Sequence, residues 1–77
     1  MRLLIHPKYP KYGIDDKGFL WRFGKDGKAK PISPRKHPNS DNVVFWIQVD
    51  GETVKISHAE AYLTRREADY LYREVRP

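Results

Sequence analysis

The stretch Val43-Val44-Phe45-Trp46-Ile47-Gln48-Val49-Asp50-Gly51-Glu52-Thr53-Val54-Lys55-Ile56-Ser57 decides the fold. β-Branched and aromatic residues, which suit a pleated surface, fill both arms. Asp50-Gly51 between them is the dipeptide of a two-residue hairpin turn. Such a turn sets Val49 opposite Glu52, Ile47 opposite Val54 and Phe45 opposite Ile56, because loop length determines register. These pairs make one apolar face, the expected core side. The other face carries Val44, Trp46 and Gln48 beside Ser57, Lys55 and Thr53, with Trp46 directly across from Lys55. Two explanations stand for a tryptophan there. Either the helix or the N-terminal strands cover it, or it is an exposed stacking or partner-contact residue beside a cation.

N-terminal to this hairpin the signals are again those of strands. Arg2-Leu3-Leu4-Ile5-His6 reads as a short strand stopped by Pro7, and Pro7 and Pro10 bracket an extended segment. Asp15-Asp16-Lys17-Gly18 reads as a turn with Gly18 at positive φ. Phe19 to Phe23 is a strand, Lys25-Asp26-Gly27-Lys28 a second hairpin turn, and residues 28–32 the return, kept at a sheet edge by Pro31 and Pro34. Ser33 to Asp41 holds Pro34, Pro38, Asn39 and Ser40 without periodicity, which predicts a mobile Pro-rich loop over about residues 33–42.

C-terminal to the hairpin the period turns helical. Ser57-His58-Ala59-Glu60 is a capping box, and Thr64-Arg65-Arg66-Glu67 is a second. Ala59, Tyr62 and Leu63 form one apolar stripe; Ala68, Leu71, Tyr72 and Val75 form another. The five-residue step from Leu63 to Ala68 breaks a single face. A short helix, a bend near Thr64 and a longer helix to about Arg73 are therefore expected. The fold class is α+β: a small antiparallel sheet of two hairpins, about 19–32 and 43–57, with a C-terminal helical segment over about 58–74.

The chain has 77 residues, which suits one domain spanning residues 1–77. A domain of this size buries only about 60–65% of its unfolded surface. Hydrophobic content of 39% with 13% aromatics suffices for a packed core. There are no cysteines, so disulfides, thiolate metal sites and cysteine nucleophiles are excluded. A small secreted domain usually relies on disulfides, so the expected location is cytoplasmic. No apolar run approaches the roughly 18–20 residues of a membrane span.

The net charge of +5 is unevenly spread. Residues 1–37 carry ten Lys and Arg against three acids, and residues 38–77 carry five against seven. The densest stretch is Arg22, Lys25, Lys28, Lys30, Arg35 and Lys36, opposed only by Asp26. Such asymmetry fits a polyanionic partner, drawn by Coulomb attraction and counterion release. A solvated lysine surface that keeps a small domain soluble is the other reading.

Catalytic chemistry is sparse. His6, His37 and His58 lie far apart without zinc-motif spacing. Gly24 and Gly27 belong to a hairpin rather than to a strand–helix phosphate loop. Ser33, Ser40 and Ser57 sit in a loop or a cap, and Asp15-Asp16 is a turn. No nucleophile, base and orienter come together. No enzyme, metal or cofactor is expected.

The order Tyr12-x-Ile14-x-x-x-Gly18-x-Leu20, followed later by Asp50-Gly51-x-x-Val54-x-Ile56-x-His58, resembles the sheet-and-turn portion of phage HNH homing-endonuclease families over about residues 9–63. That resemblance puts His58 where the family carries its general base. Ala59 replaces the arginine that follows there, and the later Asn and His metal-site residues have no counterpart up to Pro77. The resemblance thus implies a degenerate nuclease remnant. Leu63 to Leu71 resembles the first helix of excisionase-type helix-turn-helix domains. Both resemblances suggest the setting of small phage and mobile-element proteins.

Two functions are compatible with these features. One is a small basic regulator, expected as a monomer, that binds DNA or RNA and modulates transcription or another nucleic-acid transaction. Its contacts would be Trp21, Arg22, Lys25, Lys28, Lys30, Arg35, Lys36, Trp46 and Lys55, the lysines and arginines on phosphates and a tryptophan stacking. The other is a phage-encoded regulator that binds host RNA polymerase through aromatic anchors and complementary charge. Exposure of Trp46 within a basic face favours the first.

Overall fold

The computed structural model describes residues 1–36, 42–68 and 71–76. In chain order the elements are β1 (Arg2–Ile5), β2 (Tyr12–Ile14), β3 (Leu20–Phe23), β4 (Ala29–Pro31), β5 (Arg35–Lys36), β6 (Val43–Val49), β7 (Glu52–Ser57), α1 (His58–Glu67) and β8 (Tyr72–Glu74). All the strand pairings within the two sheets are antiparallel, and the fold is α+β. Among the described residues no helix is long and apolar enough to cross a membrane.

The β6–β7 hairpin forms in the expected register, from Val44 opposite Ser57 to Val49 opposite Glu52. Asp50 and Gly51 both take positive φ, 51° and 82°, as a turn matched to strand twist requires. β5 adds to the free side of β6, with Arg35 opposite Val44 and Lys36 opposite Val43. This corrects the expected loop at residues 33–42. Pro34 holds its predecessor extended, and the open edge of β6 offers backbone partners that keep Arg35 and Lys36 in a strand. Residues 37–41 of that expected loop lie outside the described residues.

The larger sheet runs β4-β3-β2-β1-β8. Between β1 and β2 the chain turns at Tyr9-Pro10-Lys11-Tyr12, where the Tyr12 amide donates to the Tyr9 carbonyl at 3.0 Å; the segment expected to run extended between Pro7 and Pro10 is instead bent, because the Lys8 and Tyr9 amides fold back onto the His6 ring. Beyond β8 the two ends of the sheet meet. The Ala29 amide donates to the Arg76 carbonyl at 3.0 Å, and the Arg76 amide donates to the Gly27 carbonyl at 2.8 Å. Lys28 and Arg76 thereby form a parallel bridge. Inside this curl lie Leu3, Ala29 and Val75, with Trp21 and Phe23 against them. Gly13 is required there: a Cβ would sit 2.7 Å from Phe23 Cζ and 3.0 Å from Leu3 Cβ. The opposite face, Leu4, Tyr12, Ile14 and Leu20, packs against Phe45, Ile47 and Ile56 of the smaller sheet and Ala61 and Ala68 at the helix.

The C-terminal expectation is only partly met. Ser57 caps α1, its hydroxyl accepting the Glu60 amide at 3.1 Å. The helix ends at Glu67, and residues 72–74, expected in a longer helix, form β8. Thr64 opens no second helix; it lies inside α1 and its hydroxyl donates to the Glu60 carbonyl at 2.9 Å. The cause is long-range. The outer edge of β1 needs partners, and β8 supplies them, pairing Arg2 with Glu74 and Leu4 with Tyr72. The Arg2 guanidinium also lies 4.2 Å from the Tyr72 ring centre. Tertiary pairing here overrides a local helical pattern. The apolar stripe expected at Ala59, Tyr62 and Leu63 faces out, and the helix buries Ala61 instead. Its inward row includes His58 and Arg65, whose polarity hid the true face. Arg65 donates to the Ile14 carbonyl at 3.0 Å.

One side chain ties the two sheets together. Tyr12, 4% exposed, donates its hydroxyl proton to the Gln48 carbonyl at 3.0 Å and accepts the Gln48 amide at 3.1 Å. Past the end of β5, the Tyr12 hydroxyl does for β6 what a neighbouring strand would do. Tyr12→Phe keeps the ring but leaves both backbone groups without this partner. The expected loss is about 1–3 kcal/mol, measured by urea unfolding against the wild-type chain.

His6 is buried, and its Nδ1 accepts the amides of Lys8 and Tyr9, each at 3.1 Å. An accepting Nδ1 is unprotonated, and burial holds the pKa below the ordinary histidine value; nearby Glu60 opposes this and Lys8 adds to it. Because the folded pKa is depressed, the contribution is complete above the unfolded-state pKa of about 6.5 and is lost as pH falls through the folded one. Wild-type stability is expected to drop between about pH 7.5 and pH 5.5. His6→Asn, which keeps an acceptor without a titrating ring, should flatten that drop in chemical denaturation at the two pH values.

Candidate nucleic-acid interface

The second expected hairpin turn places the basic residues. Asp26 and Gly27 take φ of 62° and 72°; the Lys28 amide donates to the Lys25 carbonyl at 3.2 Å and the Gly24 amide donates to the Lys28 carbonyl at 2.8 Å, so the strands pair one residue away from the register of a plain two-residue turn. β3 and β4 pair Arg22 with Lys30, so the two cations stand directly across from each other on one face. Around this tip an open concavity of about 590 Å³ is lined by Arg22, Phe23, Gly24, Lys25, Lys28 and Lys30. Four of the nine predicted contact residues therefore converge on one surface. Among the described residues none of these four cations is in an ion pair, and neither is Arg35 or Lys55.

The curl of the larger sheet brings two more arginines to this tip. Arg73 of β8 lies with its guanidinium carbon 5.0 Å from the Phe23 ring centre. Arg76 lies beside Lys28, with Nη2 donating to the Asp26 carbonyl at 2.7 Å. Charge along the sequence did not indicate either, because both belong to the half that is net acidic. Only the pairing of β8 and its extension with β1 and β4 reveals them. Held by a backbone carbonyl and a ring face, these guanidiniums have no carboxylate partner among the described residues, which suits a phosphate-binding surface.

A second concavity of about 420 Å³ is lined by Ile32, Ser33, Arg35 and Trp46. It follows the first directly along the chain, since Lys30 lines one and Ile32 the other. Trp46 is 47% exposed, so neither the helix nor the N-terminal strands cover it. Lys55 stands opposite it on β7, and Gln48 and Thr53 continue the face, joined by a 2.8 Å hydrogen bond. Arg35 pairs with Val44, two residues before Trp46 and on the same face. Lys36 is one residue out of phase with Arg35 and belongs to the opposite face.

The predicted residues do not all join. Trp21 is half-buried against the inner core of the larger sheet, and its indole N–H donates to Asp15 Oδ2 at 3.0 Å. Asp15 Oδ1 accepts the amides of Lys17 and Phe19, each at 2.9 Å, which builds the turn before β3. Trp21 is thus anchored to the fold, away from Trp46. His58 is held too: its Nε2 donates to the Lys17 carbonyl at 2.8 Å, and its ring lies 5.1 Å from that of Phe19. Among the described residues no group of three or more His, Asp or Glu is placed to hold a metal ion. Comparison of the chain with protein-family models, curated proteins and solved structures found no match.

The pairing of Arg22 with Lys30 is a cost the fold carries, because like charges directly across a strand pair repel. Lys30→Glu is expected to raise stability by a few tenths of a kcal/mol, the range for an exposed charge pair. Thermal unfolding at low and high salt checks this, and the gain should shrink as salt screens the pair.

Proposed function

We propose that this chain is a small, basic, non-enzymatic module that binds nucleic acid and thereby modulates transcription or another nucleic-acid transaction. The observation that carries the reading is the tip of the β3–β4 hairpin. There Arg22, Lys25, Lys28 and Lys30 line one concavity, Arg73 and Arg76 are delivered beside it, and no described acid pairs with the four lining cations. Cations outnumber acids at this tip, where Asp26 is the one acid between Arg22 and Lys36, and a like-charge pair stands across its strands; such a surface suits an anionic ligand. Phosphates supply that charge at regular spacing, and the binding energy comes from counterion release. Contacts of this kind position a protein on nucleic acid and do not read its sequence. The engagement of His58 with Lys17 and Phe19 supports binding in preference to cleavage, since Nε2 is committed to the protein's own backbone.

A second reading, capture of a host RNA polymerase by protein contact, is favoured by a different observation. Tyr62 and Leu63 on the helix are 43% and 52% exposed, and Leu71, just before β8, is 50% exposed. Exposed aromatic and aliphatic side chains of this kind serve as anchors in protein interfaces.

Binding to a mixed-sequence oligonucleotide, followed by fluorescence anisotropy, distinguishes the two. For the wild-type chain, affinity should fall steeply between about 50 and 200 mM salt, as phosphate-driven binding does. The triple charge reversal Lys25→Glu, Lys28→Glu, Lys30→Glu should abolish it, while Tyr62→Ser with Leu63→Ser leaves it unchanged. Binding that survives the triple reversal refutes the nucleic-acid reading.

A further inference from the structure

Two tryptophans have opposite fates in this fold. Trp21 is treated as a structural tryptophan usually is: half-buried, packed on a core, its indole N–H paired with Asp15. Trp46 is less covered and lacks the pairing. It lies 47% exposed in the middle of β6, and among the described residues its indole nitrogen has no hydrogen-bond partner. Around it are Arg35 in the shared concavity and Lys55 across the strand pair, both without an ion pair among the described residues. An aromatic ring with about half its surface in water, set on a sheet between two cations, costs solvation.

From this arrangement we infer that the ligand is a single-stranded nucleic acid, with an unstacked base lying on Trp46 while Arg35 and Lys55 hold the flanking phosphates. The inference rests on the nucleic-acid reading above and narrows it. Base–aromatic stacking is open to every base and needs a π-face that is not already stacked. Inside a duplex both faces of each base are occupied, so a flat aromatic can act only by wedging a base step apart. Trp46 is poorly placed for that. It sits mid-strand, with Val44 and Gln48 on either side of it along its own face and Lys55 beside it, rather than on a protruding loop. A single strand brings its own free bases. The basic concavity at Arg22, Lys25, Lys28 and Lys30 then extends the same path, since Lys30 and Ile32 are two residues apart and each lines one of the two hollows. Charge and stacking surface together suit one polyanion whose bases are exposed.

The test uses the full chain and labelled oligonucleotides of about 12 nucleotides, within the range of site sizes for single-strand binders. Three probes share one sequence: single-stranded DNA, single-stranded RNA and the DNA duplex. They are titrated by anisotropy at about 50 mM salt, where phosphate contacts are strong. The expected result is tighter binding of the single strands than of the duplex. Trp46→Ala should weaken single-strand binding by about fivefold to a hundredfold, the range for losing one stacked base, while Trp46→Tyr retains most of it. Duplex affinity should not respond to either change. The DNA and RNA probes tell which sugar the surface prefers. Circular dichroism of the variants checks folding, which an exposed position should leave intact. Duplex binding as tight as single-strand binding, or single-strand binding indifferent to Trp46→Ala, overturns the inference and leaves the nucleic-acid reading standing. Binding of no probe refutes that reading and the inference with it.

Discussion

The arrangement of this domain depends on the hydroxyl of Tyr12. Its two hydrogen bonds to the backbone of Gln48 join a sheet built from the N-terminal strands and β8 to a sheet built from the central hairpin. A phenol buried at the interface of two apolar layers would otherwise carry an unpaired polar group at a cost of kilocalories. The edge of β6 at Gln48, left open past the end of β5, would carry two more. Each need meets the other. The apolar contacts of Leu4, Ile14 and Leu20 with Phe45, Ile47 and Ile56 supply most of the attraction between the layers, but they are non-directional. The Tyr12 bonds specify where along β6 the layers dock, and so which face of the hairpin, the one bearing Trp46, is left outside.

The larger sheet solves its own edge problem by curling until β4 and the chain after β8 meet. Free edges are sites of unwanted pairing; here one edge strand carries Pro31 and the remaining amides of the seam are used by Arg76 and Ala29. The same seam concentrates charge. By carrying Arg73 and Arg76 to the β3–β4 tip, closure of the sheet assembles a cationic surface from both ends of the chain. The like-charge pair Arg22–Lys30 lies on that surface, so stability and the proposed binding pull in opposite directions there. A small domain with a limited core has little stability to spare, which makes the retained repulsion informative about function.

Several features could be read directly from local residue patterns. The Asp50-Gly51 and Asp26-Gly27 turns, the hairpin register, the Gly18 turn and the Ser57 cap are each decided within a few residues by steric and hydrogen-bonding rules. That Lys25 and Lys28 flank a turn was legible for the same reason, whereas the pairing of Arg22 with Lys30 depends on an extra residue before the turn that no local signal recorded. The true inward row of α1 was not legible. His58 and Arg65 occupy core-facing positions as polar residues whose partners, the carbonyls of Lys17 and Ile14, are more than forty residues away in sequence. Hydropathy therefore pointed to Tyr62 and Leu63, which face out.

By itself, then, the amino-acid sequence determined the α+β class, two hairpins and the register of the second, the start of the helix and a cationic hairpin tip, all consequences of short-range sterics and alternation. Tertiary structure alone decided that residues 72–74 are a strand and not a helix, that Arg35 and Lys36 extend the smaller sheet, that Trp21 is anchored while Trp46 is half exposed, and that Arg73 and Arg76 join the basic tip. Those outcomes turn on pairings between distant segments. The free edges of β1 and β6 and the seam beside β4 offer hydrogen bonds that outweigh weak local propensities, and nothing in a local window records which segment will arrive to take them.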